Sequence, residues 1–293
     1  MDFLWKVHII NNSGPLPPDT MVCTRDISGL YTNIPHEEGI AACRTALEAG
    51  RERGAKPSSS FLCRLLHPIL SLTSSLSLTT RKLQVHGTAM GTCTAPTVAN
   101  IFMGTIETGL FCAFPDKPLV WLRYKDDIFL IWTHGRTKLE SFIAHANTFH
   151  ATIKFTSNIS DTQIPFLDVM VSLYNNTLHT DLYSKPTDAF NYLHWSSCHP
   201  FHTKSSIPYS LAFRLRRICS CEETLTRRLT ELTEHLTRRS FPLKHTQKAM
   251  HKAKETPRST AIQRRRLPET QKKPQNSICH HIQPSTTQHF FCP

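Results

Sequence analysis

Two adjacent carboxylates, Asp126 and Asp127, stand between two apolar runs, Leu119-Val120-Trp121-Leu122-Arg123-Tyr124 and Ile128-Phe129-Leu130-Ile131-Trp132. Both runs are short and rich in aromatic and β-branched side chains, which reads as strand. With only Lys125, Asp126 and Asp127 between the runs, the segment predicts a tight β-hairpin. Adjacent carboxylates repel unless a cation or a proton lies between them. The tip therefore reads in one of two ways. It is a solvated type I or I′ turn, where Asp is common, or it presents an acid pair to a metal ion.

Charge bears on that choice. The 293 residues carry 34 Lys and Arg against 22 Asp and Glu, a formal net charge of +12. Such an excess favours a polyanionic partner, nucleic acid first and an acidic membrane second. No run of eighteen apolar residues occurs, so no membrane span is expected. Met1-Asp2-Phe3-Leu4 lacks the basic-then-apolar order of a secretory signal. Ten cysteines occur with no Cys-x-x-Cys pair, which argues against a disulfide framework and for a reducing compartment. The expected location is intracellular, nuclear or cytoplasmic, and not secreted.

The chain length allows one large domain or two smaller ones. Met21 to Ile27 reads as a strand. Asn33 and Pro35 then open a helix that runs to about Gly50, with Glu37 and Glu38 suiting its N-terminal dipole. Residues 60–72 read as an amphipathic helix and 76–86 as poorly patterned strand. A glycine-led turn enters an apolar helix from Ala95 to about Phe114. The carboxylate hairpin follows, then a helix over Lys138 to Phe149. A second hairpin is expected, with Leu167, Val169, Val171 and Leu173 on one face of a strand from Phe166 to Tyr174 and a turn at Asn175-Asn176. Ile207 to Cys219 and Cys221 to Arg239 read as helices, the second with leucines at 225, 229, 232 and 236. One more basic helix follows Pro242. Residues 1–20 carry a proline-rich stretch, Pro15 to Pro18. From Thr256 the chain is polar, with Arg264-Arg265-Arg266 and Lys272-Lys273, and reads as a disordered basic tail.

Asp26 ends the first strand a hundred residues before Asp126. On its own it is an ordinary strand-end acid. A third carboxylate on a neighbouring strand is what a two-metal nucleotidyl-transfer site needs. The motifs around these acids carry a resemblance. Asp26-Ile27-Ser28-Gly29-Leu30-Tyr31-Thr32-Asn33-Ile34-Pro35 resembles the first palm motif of reverse transcriptases, in the form found in Penelope-like retroelements. Gly87-Thr88-Ala89-Met90-Gly91-Thr92 with Ala95-Pro96 resembles the second, and Arg123-Tyr124-Lys125-Asp126-Asp127 the third. Ile164-Pro165-Phe166-Leu167-Asp168-Val169 is similar to the hairpin that follows, and Lys185-Pro186-Thr187-Asp188 through Arg214-Leu215-Arg216-Arg217 to the thumb region. The order is kept from about residue 2 to about residue 255.

The resemblance implies an α+β fold. Its palm has an antiparallel sheet flanked by helices over residues 1–185, followed by a helical thumb over 186–255 and a disordered tail over 256–293. It implies an RNA-directed DNA polymerase that extends a primer 3′ hydroxyl on an RNA template with deoxynucleoside triphosphates. Asp26, Asp126, Asp127 and the Ile27 carbonyl would bind two Mg²⁺ ions, with Mn²⁺ as a substitute. Tyr31 would lie under the incoming sugar and disfavour a 2′-hydroxyl. Gly91, Ala95 and Pro96 would pack on the nascent pair, and Lys154 would lie near the leaving pyrophosphate. Phe166, Leu167 and Asp168 would grip the primer, and Arg214, Arg216 and Arg217 would follow the duplex.

The chain departs from the family in places. Nothing before Asp26 supplies fingers, so a truncated palm and thumb is expected. Gly29 replaces a common serine, Thr97 an aromatic residue, and Lys125 a small or apolar one. No GIY-YIG endonuclease motif occurs in residues 240–293. The alternative reading is an inactive remnant that only binds nucleic acid. A zinc module from His194, Cys198, His199, His202, Cys219 and Cys221 has irregular spacing, and no zinc is expected.

Overall fold

The computed structural model describes residues 3–50, 57–72, 74–76, 81–89 and 91–263. Met90 and the basic runs at 264–266 and 272–273 lie outside them. Contacts divide the described chain into two compact units, one of residues 19–159, the other of residues 3–18 with 160–263. The division falls at 159/160, not at the expected 185/186, and the first residues belong with the C-terminal unit.

The unit of residues 19–159 is built on a four-stranded sheet. Its strands are β1 (Met21–Ile27), β4 (Val120–Tyr124), β5 (Asp127–Trp132) and β6 (Phe155–Ser160), in the order β4-β5-β1-β6. β1 and β4 both run antiparallel to β5. Between β1 and β4 lie the short α2 (Leu30–Asn33), α3 (His36–Ala49), α4 (Ser59–Ser71), a small ribbon of β2 (Ser74–Leu76) and β3 (Arg81–Leu83), and α5 (Ala95–Ala113). α6 (Arg136–Phe149) joins β5 to β6. Reduced to its frame this is a β-α-β-β-α-β unit, the split β-α-β arrangement.

Local chemistry explains the helix ends. Ser58 caps α4 by accepting from the Phe61 N–H. Pro35 precedes α3, where an absent N–H costs nothing. The sheet is central: every residue of β1 except Asp26 is buried, and Ile128 to Trp132 of β5 are fully so. Cys23, Ile27, Leu130 and Trp132 from the sheet meet Phe102 and Met103 from α5 and Leu139 and Phe142 from α6 in one core. Trp132 stacks on Phe142 at 5.3 Å between ring centroids.

The second unit begins with a helix that was not expected, α1 (Phe3–Asn12). Its Asn11 side chain donates to the Leu178 carbonyl at 2.7 Å and accepts from the Leu178 N–H at 3.1 Å, as a strand neighbour would. The expected hairpin is a three-stranded sheet of β7 (Gln163–Phe166), β8 (Val169–Tyr174) and β9 (Thr177–Leu182). Leu167 is therefore not on the inner face with Val169 and Val171; it sits exposed in the β7–β8 turn with φ 56°. α7 (Phe201–Ile218), α8 (Glu222–Arg238), α9 (Leu243–Glu255) and α10 (Arg258–Ile262) follow. The leucines of α8 form one buried stripe with Ala212 and Leu215 of α7 and Met250 and Ala253 of α9. α10 falls where a disordered tail was expected; its Ala261 and Ile262 are buried, which anchors it. No described helix is long and apolar enough to cross a membrane.

Candidate active site

The antiparallel register of β1 and β5 sets Asp26 directly across from Asp127. Such partners have Cα atoms about 4.5–5.5 Å apart. The Ile27 N–H donates to the Asp126 carbonyl at 3.1 Å, so the hairpin tip is clamped to the end of β1. Three carboxylates a hundred residues apart in sequence thus share one sheet end. Asp26 is exposed, and Asp126 and Asp127 are half-buried. Burial first, and the nearby negative charge of Asp126 second, raise the Asp26 carboxyl above the ordinary carboxylate range.

The tip itself is strained. Lys125 takes φ 59°, a left-handed value that favours glycine. Positive φ at the first of two central residues only is not the type I′ pattern. The Lys125 ammonium lies 5.7 Å from the centroid of the Tyr124 ring.

What holds the tip is Arg123, whose role was not foreseen. Its guanidinium donates to Glu107 at 2.7 Å, to the Asn100 side chain at 3.0 Å and to the Lys125 carbonyl at 3.2 Å. The Trp121 indole N–H shares the same Glu107 carboxylate at 2.8 Å. The ion pair is almost wholly buried, with side-chain exposures of 7% and 2%. Glu107 is the one charged residue of α5. That isolated acid was a readable signal, because a charge on such a helix needs a partner.

The first two motifs also meet. The Thr88 N–H donates to the Tyr31 carbonyl at 2.6 Å and the Gly87 N–H to the Ile34 carbonyl at 2.8 Å. A Cβ on Gly87 would lie 2.3 Å from the Tyr31 carbonyl oxygen, so the tight backbone approach belongs to Gly87. Gly91, expected to pack on the nascent pair, has φ 98° and open space around it. Gly29, where the resembling family has serine, takes φ 58°. Tyr31 is half-buried against the core. Ala95 is buried at the first turn of α5 and Pro96 exposed beside it. The Lys154 ammonium donates to the carbonyls of Asn147 and His150 at 2.7 and 2.9 Å, closing the C-terminal end of α6.

In the other unit, Phe166 is buried and packs on Phe3 at 4.8 Å. Asp168 receives Arg214 at 2.7 Å. Arg216, expected along a duplex, is instead buried, bonded to Glu222 and to the Thr256 carbonyl. Arg217 is half-buried. Four of the six residues considered for zinc serve other ends. Cys221 accepts from the Thr224 N–H as the cap of α8, buried Cys219 faces Asp181, and His194 and His199 bond Ser196 and Ser197. Among the described residues no three His, Cys, Asp or Glu form a ready-made metal cage.

Comparisons with known proteins bear on the fold. Residues 191–251 match the family model described as animal helix-turn-helix domain. No curated protein matches the chain. Among solved structures, telomerase from Candida albicans, in complex with a fragment of telomeric RNA, superposes with a TM-score of 0.55 at 12% identity. The match covers 80% of this chain and 42% of that one. The Sicinivirus 3Dpol RNA-dependent RNA polymerase superposes with a TM-score of 0.52 at 15% identity, over 86% of this chain and 54% of that one. The chain thus spans about half the length of these neighbours or less. A mixed helix-and-sheet fold shared with the polymerase domains of telomerase and of a viral RNA polymerase is what these likenesses establish.

Proposed function

We propose that the chain is the palm and thumb of a template-directed nucleotidyltransferase, an RNA-directed DNA polymerase of the Penelope-like retroelement kind. The observation that carries this reading is Asp26 set across from Asp127, with Asp126 clamped beside them at one sheet end. The donor set fits a hard divalent cation. Its ligands are oxygens, and the charge of Asp126 adds to burial in raising the Asp26 carboxyl. Asp26, Asp126, Asp127 and the Ile27 carbonyl would hold two Mg²⁺ ions, which supply charge stabilisation at the phosphoryl group in transfer and acidify the attacking hydroxyl.

The remaining roles belong to the chain. Arg123 fixes the hairpin tip, so the acids are preorganised and do not have to be gathered on binding. Tyr31, held by the Gly87 segment, would lie under the sugar of a deoxynucleoside triphosphate. Gly91 and Pro96 are open for the template–primer pair. The thumb is proposed for residues 186–255.

Primer extension tests the reading. Purified chain, an RNA template, a DNA primer and Mg²⁺ or Mn²⁺ are expected to give elongated primer, and the Asp126→Asn, Asp127→Asn protein none. Salt-sensitive duplex binding equal in both proteins with extension in neither would leave a relic that only binds nucleic acid.

A further inference from the structure

A cleft opens within the C-terminal unit, between α7, α8 and the chain that leaves β9. Leu211 and Leu215 of α7 and Leu232 of α8 give it an apolar base. Phe190 and His235 face it as a stacked pair, with ring centroids 4.3 Å apart and planes 16° from parallel. Apolar clefts with a few convergent polar groups are where ligands bind.

Three polar groups of the lining have no task inside the protein. The Ser184 hydroxyl, the Tyr192 hydroxyl and the His235 imidazole make no hydrogen bond to any described residue. Glu231, the acid of the lining, is by contrast neutralised by Arg227 and Arg228. The loop beside the cleft is strained. Phe190 takes φ 51°, a left-handed value that an aromatic residue rarely adopts. Its N–H donates to the Asp188 carboxylate at 2.9 Å, and its carbonyl accepts from the Tyr192 N–H at 2.8 Å. These bonds hold the Phe190 ring against the cleft, and strain of this kind is kept at binding sites.

We propose that the cleft takes one unpaired nucleobase of a single-stranded nucleic acid. Any base offers a flat face to the aromatic pair. A base edge carries donors and acceptors for Ser184, Tyr192 and His235. An aliphatic or phenyl group of a protein partner would leave those three covered and unsatisfied. The rim is basic, which suits the phosphates on either side of the base. Arg214 lines the cleft with half of its side chain exposed, and Lys185, next to Ser184, and Arg238, one turn beyond His235, are exposed. A paired base is stacked on both faces with its edge in use, so a duplex does not fit. The site shares no residue with the carboxylate cluster, and its contact needs neither metal nor nucleoside triphosphate.

The experiment is fluorescence anisotropy of the full chain with a labelled single-stranded RNA, the DNA strand of the same sequence and the duplex, without divalent ions. Phe190→Leu and His235→Leu are each expected to weaken single-strand binding about fivefold or more, the loss of one base–aromatic stack. Their log–log salt slopes are expected to match the parent's, because no phosphate contact is lost. Tyr192→Phe removes one oxygen and no packing, and is expected to weaken binding about two- to tenfold. Duplex binding is expected to be the same in all four proteins. Adenosine or uridine monophosphate is expected to displace the strand at high concentration, and tryptophanamide is not. Absence of single-strand binding by the parent, full binding by all three variants, or equal weakening of duplex binding would each overturn the proposal. Displacement by tryptophanamide alone would overturn it too, in favour of a protein partner. Failure of primer extension with the binding results as expected would sink only the catalytic reading.

Discussion

At the residue scale, the Glu107–Arg123 pair shows how one buried interaction sets a site. Removing one partner leaves the other charge buried and unpaired. Glu107→Gln or Arg123→Met is expected to destabilise the protein by about 3–5 kcal/mol. The double change Glu107→Leu with Arg123→Met is expected to recover much of that loss, because no lone charge remains. Urea unfolding measures both, and a single-mutant loss below about 1 kcal/mol would mean that the pair is solvated. Gly87→Ala drives a methyl into the Tyr31 carbonyl and is expected to cost clearly more than Gly91→Ala. The latter meets open space and carries only the left-handed penalty of about 1–2 kcal/mol. Thiols sort in the same way. Burial, and next the Asp181 carboxylate, push the Cys219 thiol up to about 12, while burial pushes Cys23 and Cys43 to about 11. A disulfide reagent at pH 8 is expected to label exposed Cys93, Cys112, Cys198 and Cys221 quickly and those three only on unfolding. Rapid loss of the Cys219 thiol in folded protein would contradict its burial.

At the element scale, Asp181 at the end of β9 ties the three-stranded sheet to α8. Burial alone would raise its carboxyl. Arg228 outweighs this by hydrogen bonds and charge, with help from the Leu182 N–H and Arg227, so the group is held below the ordinary aspartate value. A folded-state value below the unfolded one gives stability that is complete above the unfolded value and fades as pH falls through the folded value. Asp181→Asn is therefore expected to cost about 2–4 kcal/mol near neutrality. The gap to the parent should narrow as pH drops below about 4. A gap that is constant with pH would remove the ion pair from the account.

Elements with local signals were legible in the sequence. The proline ahead of α3, the turn into α5 and the leucine stripe of α8 fixed those helices to within a few residues. The carboxylates were legible because an acid pair between apolar strands has few uses. The failures had no local signal. α1 is apolar over much of its surface, has no acid in its first turn and earns its place through a distant strand. The β7–β8 turn uses Leu167 at a left-handed φ, where a glycine or asparagine would have announced it. Arg123 lies sixteen residues from Glu107, so the pair exists only after α5 and β4 have packed.

At the whole-molecule scale, the N-terminal segment joins the C-terminal unit through contacts 167 residues apart, those of Asn11 with Leu178. Asn11→Ala removes two bonds from the β9 edge and is expected to cost about 1–3 kcal/mol. Hydrogen exchange is expected to show the Leu178 amide losing protection while the amides of β5 keep theirs. Faster exchange at both sites alike would mean that the two units unfold together. Bonds of such long range also delay folding, because the intervening chain must close before they form.

The split composition of that unit has a consequence for modularity. Residues 19–159 are an insertion: one unit opens after residue 18, gives way to a complete sheet with its own core, and resumes at residue 160. Insertions of this kind are borne by the host only where it closes around the gap by itself. The α1–β9 bonds and the Leu16 N–H to Asn176 carbonyl bond provide that closure. The sheet that carries the carboxylates is thus a cassette, free to change its loops, its chemistry or its size while the host unit keeps the same seam.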